Sequence, residues 1–269
     1  MSLKRETTSF LLCPPDYYGV EYEINPWMCR IIKPVPDFVE RQWTLLDTTL
    51  HGLGVILMRL SPVSGLPDMV FTANAGLVVG KQFISSRFRF EVRQGETPHH
   101  QKWFQDRGYQ IITPPADICF EGEGDALWVG ETLFLGCGIR TDPSAQSWLN
   151  EVLNRPVIAL ELVDPRFYHL DTCFCPLDDQ RVLYYPPAFS PVAQGLIQSI
   201  IPCPIPMKEE DAVAFGANAI VVNKHVVLNG SSATLTKTLM DEGFDVHSLD
   251  FREFIKAGGS AKCLVLRLA

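Results

Sequence analysis

Asn74-Ala-Gly-Leu-Val-Val-Gly80-Lys81-Gln-Phe-Ile-Ser85 opens on a polar residue, runs through a short apolar strand to a tight turn, and returns as a second apolar strand. The design recurs from Asp125 (Ala-Leu-Trp-Val-Gly130-Glu131-Thr-Leu-Phe-Leu), from Asp171 (through Asp178-Asp179 to Tyr185) and from Asn218 (Ala-Ile-Val-Val-Asn223-Lys224-His-Val-Val-Leu-Asn). The leading residues lie 51, 46 and 47 positions apart, which marks an internal repeat. Amphipathic helical stretches separate the hairpins at 96–107, 143–153, 191–200 and 232–242, and short strands such as 110–113 and 157–163 follow. The unit is therefore ββαβ. Residues 1–60, with the apolar runs 9–13 and 55–60, supply a fifth unit built partly from the two ends of the chain. A closed ring of such units brings Asn74, Asp125, Asp171 and Asn218 to a common axis, where a small polar ligand finds its pit. The local alternative for these four is to cap strands or bind turn amides.

Composition bounds what such a ring does. The chain has 269 residues, 46% hydrophobic, enough for a packed core and expected to form one domain over 1–269. A net charge of −8 without a Lys/Arg cluster argues against nucleic acid and favours a cationic small molecule. The eight cysteines form no CxxC pair and no zinc-type spacing, so no metal is expected, and reduced thiols fit a cytoplasmic protein. No apolar run reaches membrane-spanning length, and residues 1–10 lack the apolar stretch of a secretory signal.

Three chemical groups stand at loop-like positions. Cys263 follows Gly258-Gly259-Ser-Ala-Lys, where glycines permit close approach to the thiol, so it is a candidate nucleophile; the plainer reading is a buried strand cysteine. His169 and Asp171 fall on one side of an extended segment, and an imidazole there can give a proton to a leaving amine and take one from water. In Phe120-Glu121-Gly-Glu123-Gly-Asp125, Glu121 or Glu123 can orient that imidazole, and the sequence leaves the choice open.

Taken together, Asp68-Met-Val-Phe-Thr-Ala-Asn74, the Phe-Glu-Gly-x-Gly-Asp segment, Gly138-Ile-Arg140-Thr141, His169-Leu-Asp171 and the terminal Gly-Gly-x-x-x-Cys resemble the guanidino-group-modifying enzymes, in the order that family has them. The resemblance covers essentially the whole chain. It implies an α/β fold, a five-bladed propeller of ββαβ units with pseudo-fivefold symmetry around a central site, and no cofactor. By the same resemblance Cys263 attacks a guanidinium carbon to give a thiouronium intermediate, His169 protonates the departing amine and activates water, and Glu121 holds the imidazole. Asp171 binds the guanidinium nitrogens, Arg140 takes the substrate's α-carboxylate with Arg93 or Arg87 helping, and Asp68 and Asn74 complete the substrate site.

The departures bear on the substrate. Dimethylarginine hydrolases of the family generally lack the acid of the His-x-Asp pair, so Asp171 favours unmethylated arginine. Arginine deiminases usually carry Asp where this chain has Asn74, and the lost charge lets neutral citrulline be cut again, as in arginine dihydrolases. A methylarginine hydrolase, an amidinotransferase and a non-catalytic binding protein on the same fold are the competing readings. An acidic face with exposed strand edges leaves room for a homo-oligomer.

Overall fold

The computed structural model describes residues 8–268. Its strands and longer helices follow the chain as β1 (Ser9–Leu12), α1 (Pro36–Gly52), β2 (Ile56–Arg59), β3 (Gly76–Val79), β4 (Gln82–Ser85), α2 (Thr97–Gln105), β5 (Gln110–Ile112), β6 (Ala126–Val129), β7 (Thr132–Cys137), α3 (Ala145–Leu153) and β8 (Val157–Glu161). Then come β9 (Phe174–Pro176), β10 (Arg181–Tyr184), α4 (Pro191–Ile200), β11 (Cys203–Pro206), β12 (Ile220–Val222), β13 (His225–Asn229), α5 (Ala233–Asp241), β14 (Asp245–Leu249) and β15 (Leu266–Arg267).

These strands make a mixed α/β fold of five three-stranded sheets, all of one design. A central strand pairs antiparallel with its hairpin partner and parallel with the strand that returns from the helix: β3-β4-β5, β6-β7-β8, β9-β10-β11 and β12-β13-β14. The fifth sheet is β15-β1-β2, with β1 antiparallel to β15 and parallel to β2, so the two chain ends complete one unit. Three hairpins close on two-residue loops whose first residue, Gly80, Gly130 or Asn223, has a positive φ, the backbone hand that fits the strands' twist.

Each helix lays an i, i+4 pair on its sheet: Leu46 and Leu50, His100 and Phe104, Ala145 and Leu149, Ala193 and Ile197, Leu235 and Leu239. Burying each large apolar member contributes about 1.5–3 kcal/mol, which is what fixes these short helices in place. His100 stands alone as a polar member of that set. Three of the helices end the same way, with an amide just past the helix bonding back five residues to the pair's second member: Val55 to Leu50, Tyr109 to Phe104 and Phe244 to Leu239. Helix α1 has no counterpart among the sequence-predicted helices. It starts on Pro36 and buries Val39, Leu46 and Leu50 against the core around Phe10 and Phe251. Among the described residues, no helix is long and apolar enough to cross a membrane.

Candidate active site

The first strand of each sheet is entered through a tight turn, and these turns pack against one another. Asn74 lies in the turn Thr72–Ala75, Asp125 follows Gly122–Gly124, Asp171 lies in Leu170–Thr172, and Asn218 precedes β12. Cys263 sits in Lys262–Leu264 before β15, so the nucleophile candidate is the leader of the fifth unit.

The sulfur is held from two sides. Asn218 Nδ2 donates to Cys263 Sγ at 3.1 Å, and the thiol donates to Asp171 Oδ2 at 3.3 Å. The same Asn218 takes the backbone N–H groups of Ser260 and Cys263 on its Oδ1 and donates to the Asp171 carbonyl, so one amide braces the whole nucleophile turn. Residue-level reading of the sequence gives Asn218 as a leader but not as part of the catalytic group. Its capping partners are the thiol's own neighbours.

Glu121, and not Glu123, meets the histidine. His169 Nε2 donates to Glu121 Oε2 at 2.7 Å, Arg140 Nη1 donates to the same oxygen at 3.0 Å, and the Arg89 amide donates to Oε1 at 3.0 Å. Glu123 faces the other way and binds Lys262 Nζ at 2.9 Å. On the far side of the ring, His169 Nδ1 has a long contact of 3.5 Å with Asn74 Nδ2. Arg93 fixes that amide's orientation by donating to Asn74 Oδ1 at 2.9 Å while it forks onto both oxygens of Glu96. Gly124 is required here, because a Cβ would collide with the Asn74 amide and press on the His169 ring.

Asp125 takes the local role: its carboxylate accepts from the Leu170 amide and the Thr141 hydroxyl, which fixes the turn that presents His169 and Asp171. Beyond Glu121, Arg140 Nη2 donates to the Ile24 carbonyl at 2.9 Å, and its guanidinium lies over the rings of Phe90 and Tyr168. The Gly258-Gly259 pair opens no lane to the thiol. Gly258 abuts Asn25 and Tyr168, whose hydroxyl donates to its carbonyl at 2.7 Å, and Gly259 lies on the Phe71 ring. Arg87 and Arg89 lie beside the site; Arg89 pairs with Asp142 and donates from Nε to the Arg140 carbonyl.

Segment 14–35 straps over the network. Asn25 donates to the Ala257 carbonyl, Trp27 Nε1 to the Arg166 carbonyl at 2.7 Å, and Tyr18 to the Glu253 carbonyl. Under it Cys263, His169, Glu121, Asp171, Asn74, Asp68, Arg93 and Arg140 are each 3% exposed or less. Two buried carboxylate oxygens, Asp68 Oδ1 and Asp171 Oδ1, have no donor among the described residues. Unsatisfied acceptors in a sealed site cost about 1–3 kcal/mol each, and a ligand rich in N–H groups removes that cost.

Burial sets the protonation states. It pushes the Cys263 thiol well up, helped by the neighbouring Asp171 charge, so the sulfur rests as a thiol. It pulls His169 down to about 4 against the pull of Glu121, leaving a neutral ring with its proton on Nε2 and its Nδ1 lone pair toward the Asn74 amide. Burial alone raises Glu121, but Arg140 and the His169 hydrogen bond outweigh it and hold this carboxyl well below the usual range. Asp171 is raised to about 7 by burial, tempered by the Lys262 ammonium. Among the described residues, no group of three His, Cys, Asp or Glu side chains stands close enough to hold a metal ion.

No family profile matches the chain. It is 44% identical over 263 residues to the bifunctional arginine dihydrolase/ornithine cyclodeaminase ArgZ of Synechocystis sp., covering 96% of this chain and 37% of that protein, so the chain spans little more than a third of that relative's length. It is 41% identical over 263 residues to the N(G),N(G)-dimethylarginine dimethylaminohydrolase of Mycobacterium tuberculosis, covering 97% of this chain and 86% of that one. The crystal structure of the N-terminal domain of ArgZ bound to product superposes with a TM-score of 0.95 at 42% identity, covering 98% of both chains; a variant of that domain, with serine for an asparagine, has been solved covalently bound to a reaction intermediate. On the identity and coverage it shares with these proteins, the chain belongs to the guanidino-group-modifying enzymes.

Proposed function

We propose that this chain is a cysteine-dependent hydrolase of the guanidino group of free arginine, working through a covalent Cys263–amidino intermediate and, as a dihydrolase, releasing two molecules of ammonia. One observation carries the reading: at buried entry turns that pack together stand a thiol that donates to Asp171, whose other oxygen has no donor among the described residues, and an imidazole locked by a carboxylate. The five like sheets support the view that they are blades of a single α/β propeller over residues 1–269, with their entry turns around the site. Eight unpaired cysteines support a reducing compartment, the cytoplasm.

Asp171 and Asp68 receive the guanidinium N–H donors, which suit a carboxylate fork, and Asn74 borders them. Arginine's α-carboxylate replaces the Ile24 carbonyl on Arg140 as the strap lifts, with Arg93 adding positive field from behind Asn74. The cation then favours the thiolate. The thiol proton passes to His169 Nδ1, the sulfur bonds to the guanidinium carbon, and His169 returns the proton to the departing nitrogen as the C–N bond breaks, leaving a thiouronium and ammonia. Water gives a proton to His169 and attacks the same carbon; the C–S bond breaks, the sulfur takes the hydroxyl proton, citrulline remains, and the proton on His169 leaves to the released ammonia as ammonium. A second round on the ureido carbon releases ammonia and a carbamate, which loses carbon dioxide to give ornithine. Glu121 steadies the imidazolium in both rounds. The kinship to a methylarginine hydrolase keeps that activity as the second reading. Keeping Asp171 beside the thiol favours the unmethylated cation, which has more N–H donors to offer.

The test is incubation with arginine, monomethyl- and dimethylarginine in parallel. Two ammonia per arginine, ornithine as product, and an acid-trapped adduct on Cys263 that Cys263→Ser abolishes are the expected results. One ammonia per arginine with citrulline accumulating rejects the second cut, and consumption of the methylated substrates alone replaces the proposal with the second reading.

A further inference from the structure

Trp27 and Phe215 take no step in the scheme above, yet they join the strap to the turn that carries Asn218. The short helix Glu209–Val213 ends as α1, α2 and α5 do, with an amide bonding back five residues: the Gly216 N–H donates to the Asp211 carbonyl at 2.8 Å. In α1, α2 and α5 the residue before that amide is a glycine with positive φ, Gly54, Gly108 or Gly243, the usual choice because a Cβ is strained there. Here it is Phe215, at a φ of 62°, and glycine stands one place later, where a Cβ would press on the Leu235 side chain and the Asp211 carbonyl. Among the described residues the other non-glycine positions with positive φ are Asn154 and Asn223, of the type that tolerates this backbone. An aromatic in that slot breaks a local rule, and such strain persists only where its surroundings hold it.

What holds Phe215 is the strap. Its buried ring packs against that of Trp27, with centroids 4.8 Å apart at 61°. Trp27 is pinned in turn by its Nε1 hydrogen bond to the Arg166 carbonyl at 2.7 Å, three residues before His169, and by its own amide on Asn25 Oδ1 at 3.0 Å. On the other side of Phe215 the backbone leads to the thiol's brace: the Phe215 carbonyl accepts from the Asn218 amide at 3.0 Å, and Asn218 Nδ2 donates to the Cys263 sulfur at 3.1 Å. We propose that Phe215 is a positioning residue for the nucleophile and that Trp27 holds it: with the strap docked, the indole keeps the ring and its left-handed backbone in the arrangement that sets Asn218 against the thiol. Closing the site and bracing its sulfur then become one event. The inference rests on the guanidine-hydrolase reading.

Trp27→Ala, which leaves Phe215 without its partner, should lower kcat for arginine by about tenfold or more, while arginine affinity by calorimetry in the Cys263→Ser background falls much less. Trp27→Phe keeps a ring against Phe215 and gives up the bond to Arg166, so it restores most of kcat. Phe215→Ala reproduces the loss from the other side of the contact. Because the effect runs through Asn218, adding Trp27→Ala to Asn218→Ala costs less than about twofold further, whereas a strap that only covers the site acts independently of Asn218 and its loss multiplies with that of the brace. A smaller loss of kcat in Trp27→Ala, an equal loss of affinity, a Trp27→Phe as impaired as Trp27→Ala, or losses that multiply in the double variant overturn the inference while leaving the hydrolase reading intact. A wild-type enzyme that neither binds nor turns over arginine removes the reading and this inference with it. Should Phe215→Ala or the double variant fail to fold, the kcat values and affinities of Trp27→Ala and Trp27→Phe decide alone.

Discussion

Replacing Glu121 by glutamine, one atom exchanged for another of equal size, is the most demanding test of the site. The carboxylate receives three donors, from Arg89, Arg140 and His169, and a carboxamide has one acceptor oxygen and two N–H donors of its own. Whichever way the amide turns, its nitrogen confronts a donor. If it faces the histidine, the ring must accept on Nε2 and carry its proton on Nδ1, the nitrogen that has to take the thiol proton. If it faces Arg89, a neutral oxygen is left to balance the buried Arg140. Leaving a buried cation without its partner costs about 3–5 kcal/mol, which for a chain of this size lowers the melting temperature by roughly 10 °C. A wrong tautomer at a catalytic histidine costs on the order of 10⁴-fold, so kcat should fall by about 10³–10⁴, or about 4–5.5 kcal/mol of barrier. Ammonia release at saturating arginine and a circular-dichroism melt measure the two losses. Retention of more than about a tenth of wild-type kcat, or an equal loss of kcat in Glu123→Gln, would refute the assignment of Glu121.

Asn218→Ala removes the amide that braces Ser260, Cys263, its sulfur and Asp171, and should cost about 2–4 kcal/mol in urea unfolding together with a large loss of kcat; a stable variant with normal turnover contradicts the bracing role. His100 occupies a slot that the other helices fill with Leu or Ala, both ring nitrogens lack partners among the described residues, and burial pulls it down to about 3. Because its folded value is lowered, the unfolded chain binds the proton first as pH falls below about 6.5, so this residue withdraws roughly 2 kcal/mol of stability by pH 5. His100→Leu should restore that amount at pH 5 and change stability at pH 8 much less; equal effects at both pH values sink the explanation. Asn74→Asp puts a third carboxylate, after Asp171 and Asp68, beside the guanidinium and an oxygen opposite His169 Nδ1, which favours the cationic substrate over neutral citrulline. Ammonia per arginine should drop from near two toward one, and an unchanged ratio counts against the role given to Asn74.

The repeat is legible in the sequence because its signals are local. Alternating apolar residues, a positive-φ turn residue and an amphipathic helix with its i, i+4 pair each reside within a dozen positions, and four leaders in register announce the sheets. The helix 191–200 lies where the sequence predicts it, and the others differ by a residue or two at their ends. What local signals do not carry is which way a loop side chain turns. Glu121 and Glu123 are two positions apart in a turn where Gly122 takes a positive φ, and that backbone choice sends one carboxylate to His169 and the other to Lys262. The resemblance gives Arg140 to a substrate carboxylate, yet one of its donors goes to Glu121 and another to the Ile24 carbonyl, a partnership spanning 116 residues. The two glycines before the nucleophile read as an open approach and instead admit Tyr168 and Phe71.

The position of Cys263 follows from the same economy. Its turn leads into β15, which adds to β1 at the opposite end of the chain, and Thr72 ties the two by donating its hydroxyl to the carbonyls of Leu11 and Leu264. The thiol is therefore seated only when the sheet that joins both ends has formed, whereas His169 and Glu121 are carried by sheets closed within the chain. Loosening the β1–β15 pairing should thus disable the nucleophile before it disturbs the imidazole and its carboxylate, since β15 is only two residues long and so short a pairing opens cheaply.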